Sequence, residues 1–263
     1  MNVQEEKSFS IVIDLGLTHS SVAYYDIVKN EPILIEDEIG KERIASCRII
    51  GRDECDVSYE DREHWPFKLK SRDDGSAYIE CYNPLTQESE EFEPEEISGI
   101  ILKYLYEIAQ AKLGNQPISN VVVTVPAEFN DIQRASILLA CKLSGTKNVE
   151  LANEPTAAIA GYKRKYPNSL KNGDRIVVID FGGTLDVTCF KIVNDSVVVE
   201  SSGGNQDLGG NEFDNVMNDI IKKRIEKVIP GYYKQKQVMT QKETIFNKKL
   251  TKLKKNQKEL KLN

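Results

Sequence analysis

The residues best suited to chemistry form a short turn that occurs twice in the chain. An apolar run ending in Asp-x-Gly-x-Thr occupies residues 12–18 and recurs at residues 178–184, and further apolar runs follow at Ser21–Val28 and Val187–Val193. A carboxylate at a strand end can hold a hydrated divalent cation. The glycine lets backbone N–H groups approach an anion, and the threonine adds a hydroxyl donor. A single copy would also suit an ordinary hairpin turn, whereas the pair favours a phosphate site.

Two such turns facing each other would hold a polyphosphate from both sides, with Asp14 and Asp180 sharing one metal ion. Repeats that lie 166 residues apart indicate two lobes of related topology rather than a solenoid. A third glycine-rich turn, residues 203–210, leads directly into a predicted helix at Phe213. Because a helix N-terminus favours anions, this turn is a further candidate for contact with phosphate.

The elements that must position these turns alternate between strands and helices, which predicts the α/β class. Apolar and β-branched runs predict strands at Ser10–Leu15, Ser21–Val28, Pro32–Glu36, Ala77–Tyr82, Val121–Val125, Arg175–Asp180, Val187–Val193 and Ser196–Ser201. The first three strands are predicted to form an antiparallel meander. Apolar residues at helical spacing predict helices over Pro94–Leu113, Asp131–Leu143, Pro155–Tyr162 and Phe213–Ile229. Asn130 and Gln133 predict a capping box at the start of the second of these helices. Residues 37–65 are polar and are predicted to be irregular.

Composition excludes several classes of protein. No apolar run approaches the roughly 18 residues that cross a bilayer, so we expect no membrane partner. Residues 1–10 lack the apolar core of a secretory signal. The five cysteines are scattered, odd in number and without a C-x-x-C pair, which argues against a disulfide framework or a zinc site and favours reduced thiols in the cytoplasm.

The net charge of −6 is unevenly distributed. Residues 232–263 contain ten lysines and two acids, for a local charge of +8, which leaves −14 for residues 1–231. The acidic bulk is a poor candidate for nucleic-acid binding. The lysine-rich tail, predicted to be helical, could contact an acidic partner or nucleic acid, or could simply be a solvated helix.

Five further segments occur in the order found in one family of chaperones. They are Gly51-Arg52 followed by His64-Trp65-Pro66-Phe67, then VPAEFN at residues 125–130, NEPTAA at 153–158, DFGGTLDV at 180–187 and LGGNEFDN at 208–215. Together they resemble the nucleotide-binding domain of the 70-kDa heat-shock chaperones, over roughly residues 9–215. The resemblance implies an actin/hexokinase-like ATPase fold, with two lobes around an ATP cleft.

The resemblance also implies roles for individual residues. Asp14 and Asp180 would coordinate Mg²⁺ and its waters, and Glu154 and Asp186 would orient the attacking water or the metal shell, so Glu154, Asp180 and Asp186 are the expected catalytic residues. Pro126 and Arg134 match positions that couple nucleotide state to the partner domain in the family. The residues expected to line ATP or ADP, besides Asp14, are Gly16, Thr18, Gly182, Gly183, Thr184, Gly209 and Gly210.

Departures from the family pattern concern the phosphate site. Leu17 replaces a threonine of the first turn, and the second turn, Gly182-Gly183-Thr184, has one glycine fewer than the family's. The segment between Glu36 and Gly51 is some three dozen residues shorter than in the family. The position of the family's catalytic lysine then falls on Cys47, and losing such a charge would cost about 10²–10³ in rate.

These observations predict lobe I at residues 1–168, a partial lobe II at 169–231 and the tail at 232–263. Three functions remain open. The first is an ATP-binding chaperone domain, linked to protein folding, client polypeptides and co-chaperones, with weak or no hydrolysis. The second is a non-catalytic adaptor or degenerate fragment of such a chaperone. The third is a small-molecule kinase, which residues 64–67 and 153–156 disfavour. The sequence leaves the oligomeric state open.

Overall fold

The computed structural model describes residues 8–16, 19–36, 44–45, 49–53, 55, 67–83 and 87–232. The chain divides into two compact units, residues 1–209 and residues 210–263. The boundary predicted between residues 168 and 169 falls inside the first unit and stays a prediction. Thr18, Cys47 and residues 233–263 of the predicted tail lie outside the described residues.

Strands dominate the first unit, and they are β1 (Phe9–Leu15), β2 (His19–Asp26), β3 (Glu31–Leu34), β4 (Ile44–Ala45), β5 (Lys68–Ser71), β6 (Ala77–Asn83), β7 (Glu88–Phe92), β8 (Ile118–Val125), β9 (Val149–Asn153), β10 (Arg175–Phe181), β11 (Leu185–Val193) and β12 (Ser196–Asn205). The described helices are α1 (Pro94–Lys112), α2 (Asp131–Leu143), α3 (Glu154–Lys165) and α4 (Gly210–Val228), the last in the second unit.

The largest sheet has the order β3-β2-β1-β8-β9, with β4 paired to β2. The predicted meander is confirmed, because β1–β2 and β2–β3 pair antiparallel. β8 then pairs with β1 in parallel, and the register sets Asp14 opposite Ser21 on one side and Thr124 on the other. Because side chains alternate along a strand, these three polar residues share one face of the sheet.

The opposite face of this sheet forms the core. Ile11 and Ile13 of β1 and Val123 of β8 are fully buried, and α1 packs against β1 and β2. α1 also packs on α2, where Gly99 allows close approach, since a methyl group there would lie 3.1 Å from the carbonyl oxygen of Ala140. The apolar side chains on this face of the sheet and those of the helices therefore pack together in one core.

The predicted helix ends are confirmed for α1 and α2. The predicted capping box is present in α2, since the backbone N–H of Gln133 donates to Asn130 at 2.9 Å and that of Asn130 to Gln133 at 3.1 Å. Gly114 follows α1 with φ +67°, as expected for the residue that ends a helix in the left-handed region. α3 begins one residue before Pro155 and extends beyond Tyr162, to Lys165.

A second sheet repeats the start of the first. β10 pairs antiparallel with β11, and β11 with β12, in the order β10-β11-β12. The duplicated sequence makes β10 the counterpart of β1. β1 carries the parallel strand β8 on its other edge, whereas no strand occupies the other edge of β10 within the described ranges. β5, β6 and β7 form a separate antiparallel sheet, of which only β6 was predicted.

One face of the second sheet is apolar and open to solvent. Val177 is 57 % exposed and Ile179 is 65 % exposed, whereas Val178 between them is half-buried. Within the described residues, this face of the sheet is therefore not fully covered. Among the helices that are described, none has the length and apolar character to span a membrane.

The exposed face predicts self-association of the recombinant chain. Replacing Val177 and Ile179 with threonine should raise the monomeric fraction with little change in melting temperature, because threonine keeps the β propensity and removes apolar surface. Light scattering at increasing protein concentration measures this. Val178→Thr is the matched control on the opposite face and should lower the melting temperature without improving solubility. Equal aggregation of the double variant and the wild type would contradict the prediction.

Candidate functional site

The site is built from the two repeated turns. Asp14 lies in β1 and Asp180 in β10, each one residue before the strand ends. Both line one cavity of about 670 Å³, together with Gly16, Gly182 and Gly183. Thr184 also lines it. A cavity of this volume is within the usual range for small-molecule ligands.

A third carboxylate enters the cavity from a helix. Glu154 is the first residue of α3 and directly follows β9, so its side chain lies at the end of a strand of the large sheet. Burial raises the pKa of Glu154 to about 8, and the negative charges of Asp14, Asp180 and Asp186 contribute in that same direction. At neutral pH the carboxyl group is therefore mostly protonated in the absence of a cation.

The second turn is held from behind by Asp186. The backbone N–H of Gly182 donates to the carbonyl of Thr184 at 3.0 Å, which closes the turn. The Thr184 hydroxyl, itself buried, donates to the Asp186 carboxylate at 3.4 Å. Burial raises the pKa of Asp186, partly offset by the Thr184 hydroxyl and by the backbone N–H of Glu128. Asp186 thus supports the turn and does not line the cavity.

A glycine from the third turn packs directly on the second. A methyl group at Gly209 would overlap the carbonyl oxygen of Gly183, so only glycine permits the observed approach. In contrast, a methyl group at Gly203 on β12 would have no neighbour within 4 Å. The close contact with Gly209 therefore sets the position of the turn at residues 182–184, although Gly209 does not itself line the cavity.

The predicted residues thus divide into groups. Those that line the common cavity are Asp14, Gly16, Glu154, Asp180, Gly182, Gly183 and Thr184. Asp186 and Gly209 lie directly against the second turn. Gly210 begins α4 in the second unit.

The sequence reasoning missed residues that only strand pairing brings to the cavity. The Thr124 hydroxyl donates to the Asp14 carboxylate at 3.2 Å, because β8 lies parallel beside β1 in the register given above. His19 and Ser21 of β2 and Phe181 of β10 also line the cavity. The sequence does show that alternate residues of β2 share a face of the strand. Which face points to the cavity is known only once the pairing register of β2 with β1 is known.

Pro126 lines the cavity from a loop that Arg134 holds in place. The Arg134 guanidinium donates to the carbonyls of Phe129 at 3.0 Å, Ala127 at 3.2 Å and Pro126 at 3.4 Å. In the same loop Glu128 accepts a hydrogen bond from the Ser202 hydroxyl at 3.0 Å. The loop is therefore connected to α2 at one end and to β12 at the other.

The acidic residues fit a hydrated cation better than a fully enclosed metal. No group of three or more His, Cys, Asp or Glu side chains with metal-binding geometry occurs among the described residues. Mg²⁺ commonly keeps several waters and uses one or two carboxylates with substrate phosphates. Asp14 and Asp180, which line one cavity, and the raised pKa of Glu154 fit that kind of ion.

Two sheets that begin with the same antiparallel strand order and bring the matching residues Asp14 and Asp180 to one cavity match an actin/hexokinase-like ATPase fold. The family model described as Hsp70 protein matches residues 40–263. The chain belongs to the Hsp70 family, and it resembles the family's nucleotide-binding domain.

Curated relatives with this similarity include two yeast proteins whose names describe them as ribosome-associated molecular chaperones. The one from Zygosaccharomyces rouxii is 36 % identical and that from Saccharomyces cerevisiae 35 % identical, each over 246 residues, or 83 % of this chain and 40 % of the relative. Heat shock cognate 70 kDa protein 3 of Dictyostelium discoideum is 32 % identical over 257 residues, or 84 % of this chain and 40 % of the relative. The chain thus spans about 40 % of the length of these relatives.

The raised pKa of Glu154 predicts a pH-dependent stability. The folded chain retains a proton that the unfolded chain releases near pH 4.5, so the wild type loses stability as pH rises from about 4.5 to 8. Glu154→Gln mimics the protonated form. It should match the wild type near pH 5 and exceed its free energy of unfolding near pH 8.5 by about 1–3 kcal/mol.

Urea titrations at pH 5, 7 and 8.5 measure this difference. Glu150→Gln, an exposed position on β9, is the control and should give the same pH dependence as the wild type. If the curves of Glu154→Gln and wild type run parallel across this range, the carboxyl group of Glu154 is not held in its protonated form.

Proposed function

We propose that this chain binds ATP and ADP with Mg²⁺ in the cavity between its two repeated turns, as a nucleotide-binding domain of a chaperone. The observation that carries this proposal is the meeting of Asp14, Glu154 and Asp180 at one cavity beside two glycine turns. The Hsp70 family binds ATP and ADP with Mg²⁺, which supports the choice of ligand.

In this proposal Asp14 and Asp180 hold the hydrated Mg²⁺, which neutralises phosphate charge when bound. Backbone N–H groups of Gly16, Gly183 and Thr184, which line the cavity, donate to the phosphates. Thr124 keeps the Asp14 carboxylate oriented through its hydrogen bond. The positive charge of a bound cation would lower the pKa of Glu154, so that its proton is released to solvent and the carboxylate can accept a proton from the attacking water.

Hydrolysis is proposed to be slow or absent. The family's catalytic lysine position falls on Cys47, which cannot supply a positive charge near the terminal phosphate. The shortened second glycine turn presents fewer N–H groups. A lost electrostatic contact of this kind reduces the rate by about 10²–10³, while binding through the metal and the turns is retained.

Isothermal titration with ATP and ADP, with and without Mg²⁺, tests the proposal. Saturable binding should require Mg²⁺ and should be lost, or weakened at least about tenfold, in Asp14→Asn and Asp180→Asn, because each removes a carboxylate ligand. Asp195→Asn, in the exposed β11–β12 turn where φ is +63°, is the control and should bind as the wild type does.

Absence of binding at millimolar ATP, in a chain that melts cooperatively, would exclude the proposal. The replacement of the family's threonine by Leu17 and of its catalytic lysine by Cys47 would then favour a non-catalytic adaptor that keeps the family fold. Capture of a co-chaperone or an unfolded client without nucleotide would support that second function.

The contact of Gly209 with the second turn gives an independent prediction. Gly209→Ala should weaken ADP binding by about tenfold or more, because the added methyl group must displace the Gly183 carbonyl and the phosphate-facing N–H groups. Gly203→Ala has open space and should bind ADP as the wild type does. Equal affinities of the two variants would show that the turn at residues 182–184 does not contact the phosphates.

The partners are proposed from the relatives. Two of the yeast proteins carry names that describe ribosome-associated chaperones, so we propose that this chain takes part in handling client polypeptides with co-chaperones. The proposed location is the cytoplasm.

A further inference from the structure

The third glycine-rich turn is held by two side chains from much earlier in the chain. The Arg52 guanidinium donates to the Asp207 carboxylate at 3.3 Å, although 155 positions of sequence separate the two residues. The side-chain amide of Gln133 donates to that of Gln206, also at 3.3 Å. Two neighbouring residues of one turn are thus tied to two separate segments that precede the second repeat.

Arg52 projects from a firmly packed segment. Ile49 and Ile50 are buried, and the Arg52 backbone N–H donates to the Ile49 carbonyl at 3.2 Å. Gly51 has φ +63°, and a methyl group there would overlap the Cα atom of Gln133, so the segment lies directly on the first turn of α2. The Arg52 side chain itself is only 13 % exposed. A guanidinium held in this way gives up little further freedom when it pairs with a carboxylate.

From Asp207 the contact reaches the second turn through the backbone. The Asp207 N–H donates to the side-chain carbonyl of Asn205 at 2.8 Å, and Asn205 pairs with Leu185 of β11. Two residues beyond Asp207, Gly209 lies against Gly183, which lines the cavity. The position of Asp207 therefore helps to determine how the second turn is presented to the cavity.

We infer that Arg52 is a positioning residue for the nucleotide site, which acts through Asp207 to hold Gly209 against the second turn and so directs the N–H groups of that turn into the cavity. This inference rests on the proposed nucleotide binding and adds a residue that the cavity lining does not include, since neither Arg52 nor Asp207 lines it. Because the effect passes through one ion pair, removing either partner should have the same consequence as removing both.

Dissociation constants for ADP with Mg²⁺ test the inference in the wild type, Arg52→Gln, Asp207→Asn and the double variant. Each single variant should weaken ADP binding about three- to tenfold, the range for one partly exposed charged hydrogen bond, and the double variant no more than either single one. Arg52→Lys keeps the charge and should bind ADP within about twofold of the wild type. Arg175→Gln removes a comparable ion pair, with Glu200, at the end of β10 away from Asp180, and should bind as the wild type does.

Amide hydrogen exchange without nucleotide gives a second measurement. Peptides that cover residues 182–184 and 205–209 should exchange about three- to tenfold faster in Arg52→Gln and in Asp207→Asn, whereas peptides from α1 should keep the wild-type rate. The Asp207 side chain is 54 % exposed, so the melting temperature of Asp207→Asn should stay close to that of the wild type.

The outcomes separate the role of Arg52 from the function beneath it. If a cooperatively folded wild type binds no ADP, the proposed function fails and the inference fails with it. If the wild type binds ADP and both single variants bind it equally well, only the inference is overturned. Additive losses in the double variant would overturn it because Arg52 and Asp207 would then act independently. Unchanged exchange at residues 182–184 would also overturn it, since Arg52 would then not act through the second turn.

Discussion

The burial of several carboxylates close to one another is the constraint on which the rest of this structure depends. Asp14, Glu154, Asp180 and Asp186 converge from four different elements, and the pKa of Glu154 is raised first by its burial and then by the negative charges of the three aspartates. Such an arrangement costs free energy unless a proton or a cation balances it. A fold selected for stability alone would separate these groups, so their proximity supports the proposed cationic ligand.

The strands that carry Asp14 and Asp180 differ in the number of neighbouring strands that support them. β1 lies inside its sheet with hydrogen-bonded neighbours on both sides, and Thr124 of β8 reaches Asp14 from one of them. β10 has β11 on one side, and in the described part of the chain its other edge carries no strand. Asp180 is therefore positioned mainly by the turn behind it, where Asp186 and Gly209 hold residues 182–184. This explains why an added atom at Gly209 would disturb the site more than one at Gly203 in β12.

Much of the fold and about half of the residues that form the site could be predicted from the sequence. The duplicated turn identified Asp14 and Asp180, and apolar runs located β1, β8 and β10 to within a few residues at each end. β5 and β7 were missed because their residues are mostly polar, as in Glu88–Phe92, and β9 because it is short. Thr124 and His19 could not be found, since their relation to Asp14 arises from strand register, which a single sequence does not specify.

The loop at residues 126–129 shows how the site is integrated with the remainder of the first unit. Arg134 fixes this loop through three backbone carbonyls, and the loop in turn donates a backbone N–H to Asp186 and accepts the Ser202 hydroxyl at Glu128. The support of the second turn therefore includes a residue on α2, far along the chain. Any ligand that neutralises the cavity relieves the electrostatic cost at Glu154, so binding and folding stability are linked through the same carboxylates.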